Sequence, residues 1–157
     1  MSKERERLLA TISVIVGALG CLMLAEIVLR FMPVPTSLYV LPVTPENPIY
    51  HFTPHLNFTY SKDVNLRLAR HGRTNNDGWV NEQEYQKNDP IPLLAIIGDS
   101  YIEATTVPYL QTAQGRLAET LKGRLRVYSF AASGAPLSEY LMYAQYAVSK
   151  FKAEGLN

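Results

Sequence analysis

The chain has 157 residues, 15 of them basic and 14 acidic, for a formal net charge of +1. That balance, with no basic stripe carrying interleaved aromatics, argues against a polyanion-binding protein, and no nucleic-acid partner is expected. A single cysteine, Cys21, excludes an intrachain disulfide and a cysteine-based zinc cluster.

Leu8 to Met32 are almost continuously apolar, broken only by Thr11, Ser13, Glu26 and Arg30. A bilayer crossing needs about 20 such residues, so residues 8–32 are expected to be a transmembrane anchor whose partner is the lipid bilayer. Residues 1–7 carry Lys3, Arg5 and Arg7. The positive-inside rule makes them a cytoplasmic tail and places everything after Met32 outside. Glu26 and Arg30 stand four apart and should pair on one helix face. A cleaved signal peptide would want a shorter apolar core and a small-residue site, and no clear one precedes Pro33. Ala18-Leu19-Gly20-Cys21 has the outline of a lipoprotein cleavage box. The apolar run continues past it through Ala25, where a lipidated protein would have a polar tether.

Residues 33–89 read as a proline-rich tether and an irregular lead-in. Pro33, Pro35, Pro42, Pro45, Pro48 and Pro54 rule out a long helix and favour an extended stalk. His51 and His55 have the spacing of a helical metal pair. Pro54 between them and Pro48 before them oppose that helix, so no metal site is expected. His71 lies in a basic stretch, Arg67 to Arg73, that reads as a solvated face. Phe58, Tyr60, Val64, Leu66 and Leu68 alternate loosely and predict one or two short strands. Asn75-Asn76-Asp77-Gly78 is a turn signal, followed by Trp79.

Residues 90–157 predict two β-α units. Leu93 to Ile97 is a short apolar run preceded by Pro90 and Pro92 and ended by Gly98-Asp99-Ser100, the pattern of a buried parallel strand. Thr105 to Pro108 interrupts the chain. Thr112 then reads as an N-cap, with Ala113, Leu117 and Leu121 as a helical stripe and Gly123 as its stop. Leu125 to Ala131 predicts a second strand, ending in Ala132-Ser133-Gly134. In the last helix Leu137, Leu141, Ala144, Val148 and Phe151 recur at helical spacing, with Pro136 in its first turn and Gly155 as its cap. Strand–helix–strand–helix is an α/β pattern with a parallel sheet. Two strands are few for such a sheet, so the sequence is expected to be the front part of a longer protein.

A serine hydroxyl needs a base to become a nucleophile, and the oxyanion of acyl transfer needs donors aimed at it. Parallel strands end on one edge of their sheet, so the N–H groups of Ser100 and Gly134 are candidates to converge there. The Gly-x-Ser-x-Gly elbow of α/β-hydrolases is absent, because Ile102 stands at its last glycine.

Ile97-Gly98-Asp99-Ser100 resembles the first block of the SGNH (GDSL-type) hydrolase family. Ser129-Phe130-Ala131-Ala132-Ser133-Gly134 resembles its second block. Asn75 to Trp79, with Glu84-Tyr85, is similar to the lead-in of membrane-anchored members. The resemblance implies the N-terminal part of a flavodoxin-like, three-layer parallel-sheet fold behind one transmembrane helix. It makes Ser100 the nucleophile and one backbone oxyanion donor, and Gly134 a second donor. Asp99 and Gly98 would brace the turn. It implies no metal or cofactor. The family's Gly-x-Asn-Asp-like turn and its Asp-x-x-His do not occur after Gly134, and Ser129 stands where an asparagine is common. His51, His55 and His71 all precede Ser100, the wrong order for the family's base.

The expected function is therefore a membrane-anchored serine esterase or acyl hydrolase. It would act through an acyl-Ser100 intermediate on an O-acylated glycan or another ester, with little activity from this chain alone. The alternative is a non-catalytic anchored remnant or interaction module. The expected location is a bacterial inner membrane, crossed once, with the C-terminal part periplasmic or extracellular.

Overall fold

A computed structural model describes residues 3–62 and 68–152. They fall into two units, 1–34 and 35–157. In the first, α1 (Lys3–Phe31) is a continuous helix with no buried residue. At about 1.5 Å per residue it is long enough to cross a membrane, and its composition is apolar enough to do so. Arg30 Nε donates to Glu26 Oε1 at 2.9 Å, the predicted i,i+4 pair. Thr11 Oγ1 donates to the Arg7 carbonyl at 2.9 Å, so its hydroxyl is satisfied within the helix.

The second unit mixes α and β. It begins with an irregular strap, 35–56, followed by an antiparallel hairpin of β1 (Asn57–Lys62) and β2 (Leu68–Arg73). The hairpin register pairs Phe58 with Gly72. A Cβ on Gly72 would lie 2.4 Å from the Phe58 ring, so glycine is what lets that ring cover the partner strand. The predicted strand residues Val64 and Leu66 lie outside the described residues, and the basic stretch expected as a solvated face supplies β2.

The strap forms no helix, as its prolines require, but it is not a free stalk. Thr36 N donates to Thr59 O at 2.9 Å, Thr53 N to Tyr39 O at 2.8 Å and Leu41 N to His51 O at 3.0 Å. Ile49 and Phe52 are buried. Apolar side chains between prolines turn an extended segment into a packed one, because their burial offsets the entropy of ordering it.

β3 (Leu93–Gly98) and β4 (Arg126–Ala131) pair in parallel, from Leu93 opposite Arg126 to Gly98 opposite Ala131. Between them lie the short helix α2 (Ser100–Glu103), a 3-10 turn (Tyr109–Gln111) and α3 (Ala113–Thr120). Thr112 caps α3 as predicted, accepting from Gly115 N at 3.1 Å. Gly123 follows its end with φ +77°. α4 (Leu137–Phe151) closes the unit.

The predicted helix faces differ from the observed ones. In α3 the buried residues are Gln114 and Gly115, while Ala113 and Leu117 are exposed. A Cβ on Gly115 would sit 1.9 Å from Tyr109 O, so this glycine permits the close approach of helix and 3-10 turn. In α4 the buried set is Tyr143, Ala147 and Phe151, whereas Leu137, Leu141 and Val148 are exposed. Both faces of α4 are apolar, so periodicity alone could not choose between them. The face that wins carries tyrosines whose rings fill the core and whose hydroxyls reach acceptors: Tyr143 donates to Tyr50 O at 2.8 Å. Helix α4 ends at Phe151, with Lys152 left-handed at φ 54° as its C-cap. The predicted cap Gly155 lies outside the described residues.

The core is mostly aromatic. Trp79 is fully buried, with Phe130 at 5.3 Å and Tyr143 at 5.1 Å, both edge-on, and Tyr85 stacks on Tyr128 at 3.9 Å. Edge-on and offset rings suit the quadrupole of each π-system.

Candidate active site

The parallel register sets the ends of β3 and β4 side by side, Gly98 opposite Ala131. The chain leaving β3 turns at once into α2. Gly98 makes that turn feasible: a Cβ there would lie 2.4 Å from Ile102 Cγ1. Asp99 is the N-cap, and its Oδ1 accepts from Tyr101 N at 3.0 Å. Ser100 is the first helical residue and is exposed. A first-turn N–H has no acceptor within its helix, so the Ser100 amide is a free donor by position. Tyr140 on α4 feels the negative charge of the Asp99 carboxylate. Burial, with that negative charge beside it, raises the Tyr140 pKa.

The chain leaving β4 forms a turn in which Ala135 N donates to Ala132 O at 3.1 Å. Gly134 sits in it at φ +83°, with open space where a side chain would begin. A cavity of about 200 Å³ lies against this turn, walled by Tyr50, Ser133, Gly134, Pro136 and Glu139. The two strand-end turns are tied together by Glu103. It sits in α2 one helical turn after Ser100, is 5% exposed, and accepts a hydrogen bond from Ser133 N. Burial raises the Glu103 pKa, against the lowering effect of the Ser133 backbone and side-chain hydrogen bonds.

No protein-family model, curated protein or solved structure matches the chain.

Among the described residues no hydrogen bond joins any of the three histidines to Ser100. His51 is buried and stacks on Trp79 at 5.7 Å. Its Nδ1 lies 2.9 Å from Asp77 O and therefore carries a proton, since a carbonyl can only accept. Burial lowers the His51 pKa, only partly offset by Asp77. His55 is exposed in the strap, left-handed at φ 54°, so it and His51 do not share a helix. His71 is on β2, its Nδ1 3.1 Å from Thr59 Oγ1.

The lead-in 75–79 is a structural hub. Asn75 is fully buried, and its Oδ1 accepts from Asp77 N and Trp79 N, each at 3.0 Å. The Asp77 carboxylate accepts from Trp79 Nε1 at 3.1 Å, from the Tyr146 hydroxyl at 3.0 Å and from Lys150 Nζ at 2.5 Å. Gly78 has φ +79°, and a Cβ there would lie 2.0 Å from Phe52 O, so the loop and the strap can touch only through a glycine. The stretch thus fastens the strap and α4 to the β3–β4 pair.

Ser129 is mid-strand in β4, buried, and well inside the edge where Ser100 lies. Asn81 Nδ2 donates to its Oγ at 2.9 Å, and Tyr85 OH donates to its carbonyl at 2.7 Å. Sequence reasoning missed Glu103 and Asn81. Each is a polar residue whose partner is distant in the chain, such as Asn81 to Ser129, and no local spacing announces such a pair. For Glu103 one signal exists: an acid between Ile102 and Ala104 with no basic residue within a helical turn.

Proposed function

We propose that this chain is a membrane-anchored serine esterase or acyl hydrolase of SGNH type, acting through an acyl-Ser100 intermediate. The observation that carries the reading is the pair of adjacent parallel-strand ends, one bearing Ser100 at a helix start and the other Gly134 at positive φ. In this reading Ser100 Oγ attacks the ester carbonyl, and the N–H groups of Ser100 and Gly134 receive the developing oxyanion. The alkoxide leaves with a proton, and water then releases the acyl group. Asp99 and Gly98 hold the turn, and Glu103 positions the Ser133–Gly134 backbone. The β3–β4 pair is read as the start of a flavodoxin-like parallel sheet. An O-acylated glycan is the first substrate class. The apolar α1 with its basic tail supports one crossing of a bacterial inner membrane, with Ser100 outside the cytoplasm.

None of the three histidines is placed as the base for Ser100. Without a general base an acyl transfer loses about 10²–10⁴ in rate, so the chain by itself is a feeble hydrolase. That same observation favours the second reading, a non-catalytic anchored module in which the strand-end turns serve packing alone. A fluorophosphonate probe separates the two. In native membranes the esterase is labelled at Ser100, and Ser100→Ala abolishes the label. A folded full-length protein that takes no label at Ser100 refutes the nucleophile and leaves the module.

A further inference from the structure

The strap, the hairpin and the strand-end turns line a second cavity, open to solvent, of about 360 Å³. Its body is apolar: Leu38, Phe52 and Phe58 form its walls, with the rings of Tyr50 and Tyr60. Phe52 and Phe58 are buried, so these walls belong to the packed core. The lining also includes Pro35 and Thr36, which are exposed. Elsewhere it includes Glu103 and Ser133, the two residues whose hydrogen bond joins the turns of Ser100 and Gly134. Ser61 also lines it, and its buried hydroxyl finds no partner among the described residues.

An apolar body with a few polar groups is the usual make-up of a small-molecule site, and the volume lies in the usual range. Apolar walls give no hydrogen bonds to a sugar ring, and burying its hydroxyls there unpaired would oppose binding. A hydrocarbon chain loses nothing of the kind and gains by leaving water. Thr36, Thr59 and Thr105 also line it, and Glu103 and Ser133 belong to the two elements, α2 and the turn after β4, that carry the candidate nucleophile and the second oxyanion donor.

We propose that this cavity is an acyl-chain site, and that the ester cleaved at Ser100 carries an alkyl chain rather than an acetyl group. The inference deepens the esterase reading and, for its catalytic half, rests on it. The chain lies along Leu38, Phe52 and Phe58, and its carboxyl end meets the turn that holds Ser133 and Gly134. The alcohol part of the ester stays outside and is free to be a glycan.

Two experiments on the full-length protein test the two halves separately. A diazirine-bearing fatty acid is photolysed with the protein in lipid nanodiscs, and the adducts are mapped by mass spectrometry. Adducts on Leu38, Phe52 or Tyr60, equal in wild type and Ser100→Ala and displaced by unlabelled fatty acid, are the expected result. Adducts confined to α1 overturn the site. Thr105→Phe and, separately, Leu38→Phe narrow the cavity and should remove these adducts. Each variant is accepted only if Trp79 emission shows it folded, and persistence of the adducts in a folded variant also overturns the site. In native membranes, ethyl and decyl fluorophosphonates are then compared. Labelling of Ser100 should rise by up to about fourfold per methylene buried in the transition state. Equal rates would leave the esterase and remove the acyl-chain specificity. Adducts in the cavity with no labelling of Ser100 by either probe would leave the acyl-chain site and remove the esterase.

Discussion

Glu103→Gln and Glu103→Ala should move stability in different ways. The carboxylate is 5% exposed and receives one backbone N–H, from Ser133. Its pKa is raised by burial, so between the unfolded value near 4.5 and the higher folded value the native state binds more protons than the unfolded chain. Stability through this group therefore falls as pH rises across that window, and above it the ionised Glu103 is a standing cost. Glutamine keeps an acceptor oxygen for Ser133 N and carries no charge. Glu103→Gln should match or exceed wild type at neutral pH and lose this part of the pH slope. Alanine removes the acceptor, and an orphaned buried N–H costs ~1–3 kcal/mol, nearer the lower figure here because Ser133 is itself exposed. For a chain of this size that is a fall in Tm of roughly 2–4 °C per kcal/mol. Trp79, the only tryptophan and fully buried, reports unfolding of this unit by its fluorescence. Melting in detergent across the acid range is the assay. Equal destabilisation by glutamine and alanine, or a pH slope unchanged in Glu103→Gln, would refute the role given to this carboxylate.

Gly115→Ala should destabilise the unit by roughly 1–3 kcal/mol, since the new Cβ would meet backbone at Tyr109 rather than a movable side chain; a Trp79-detected melt within error of wild type would contradict the close approach. Gly134→Ala meets no neighbour but holds an L-residue at φ +83°, a strain of ~1–2 kcal/mol that should relax by shifting the turn. It should slow fluorophosphonate labelling of Ser100 more than it lowers Tm, and unaltered labelling would remove Gly134 from the oxyanion site. His51, with its pKa lowered by burial, should lose stability as pH falls from the unfolded value of 6.5 toward its folded value, because the unfolded chain then binds the extra proton. A His51 side chain whose NMR shifts titrate at or above 6.5 would show that burial does not set its charge.

What the sequence made legible was local. The apolar run of α1, the turn at Gly98-Asp99-Ser100, the Thr112 cap and the glycine after α3 each follow from a few neighbouring residues. Both parallel strands appear within a residue or so of where their apolar runs predict them. The faces of α3 and α4 were not legible, because each choice is made by partners far away: Tyr109 against Gly115, Tyr50 against Tyr143. The strap was misjudged for a related reason. Prolines declare extension, but whether an extended segment packs is decided by Ile49 and Phe52 finding a core built from later residues. Within the candidate site, Ser100 and Gly134 could be nominated from strand-end punctuation. Glu103 is locally an ordinary acid and becomes notable only when the fold brings Ser133 to it.

The bonds that lock α4 to the beginning of its unit also set an order of assembly. Tyr50 donates its N–H to Glu139 Oε1 at 2.9 Å and accepts from the Tyr143 hydroxyl, and Asp77 meets Lys150. These partners are 89, 93 and 73 residues apart. A chain emerging N-terminus first cannot complete the cage around Trp79 until α4 has been made. The strap and lead-in must therefore wait, unsettled, through the synthesis of everything between, and pairings of such long sequence separation are slow to form. For a protein whose first helix is expected to enter a membrane, the waiting segment is the one that directly follows that helix.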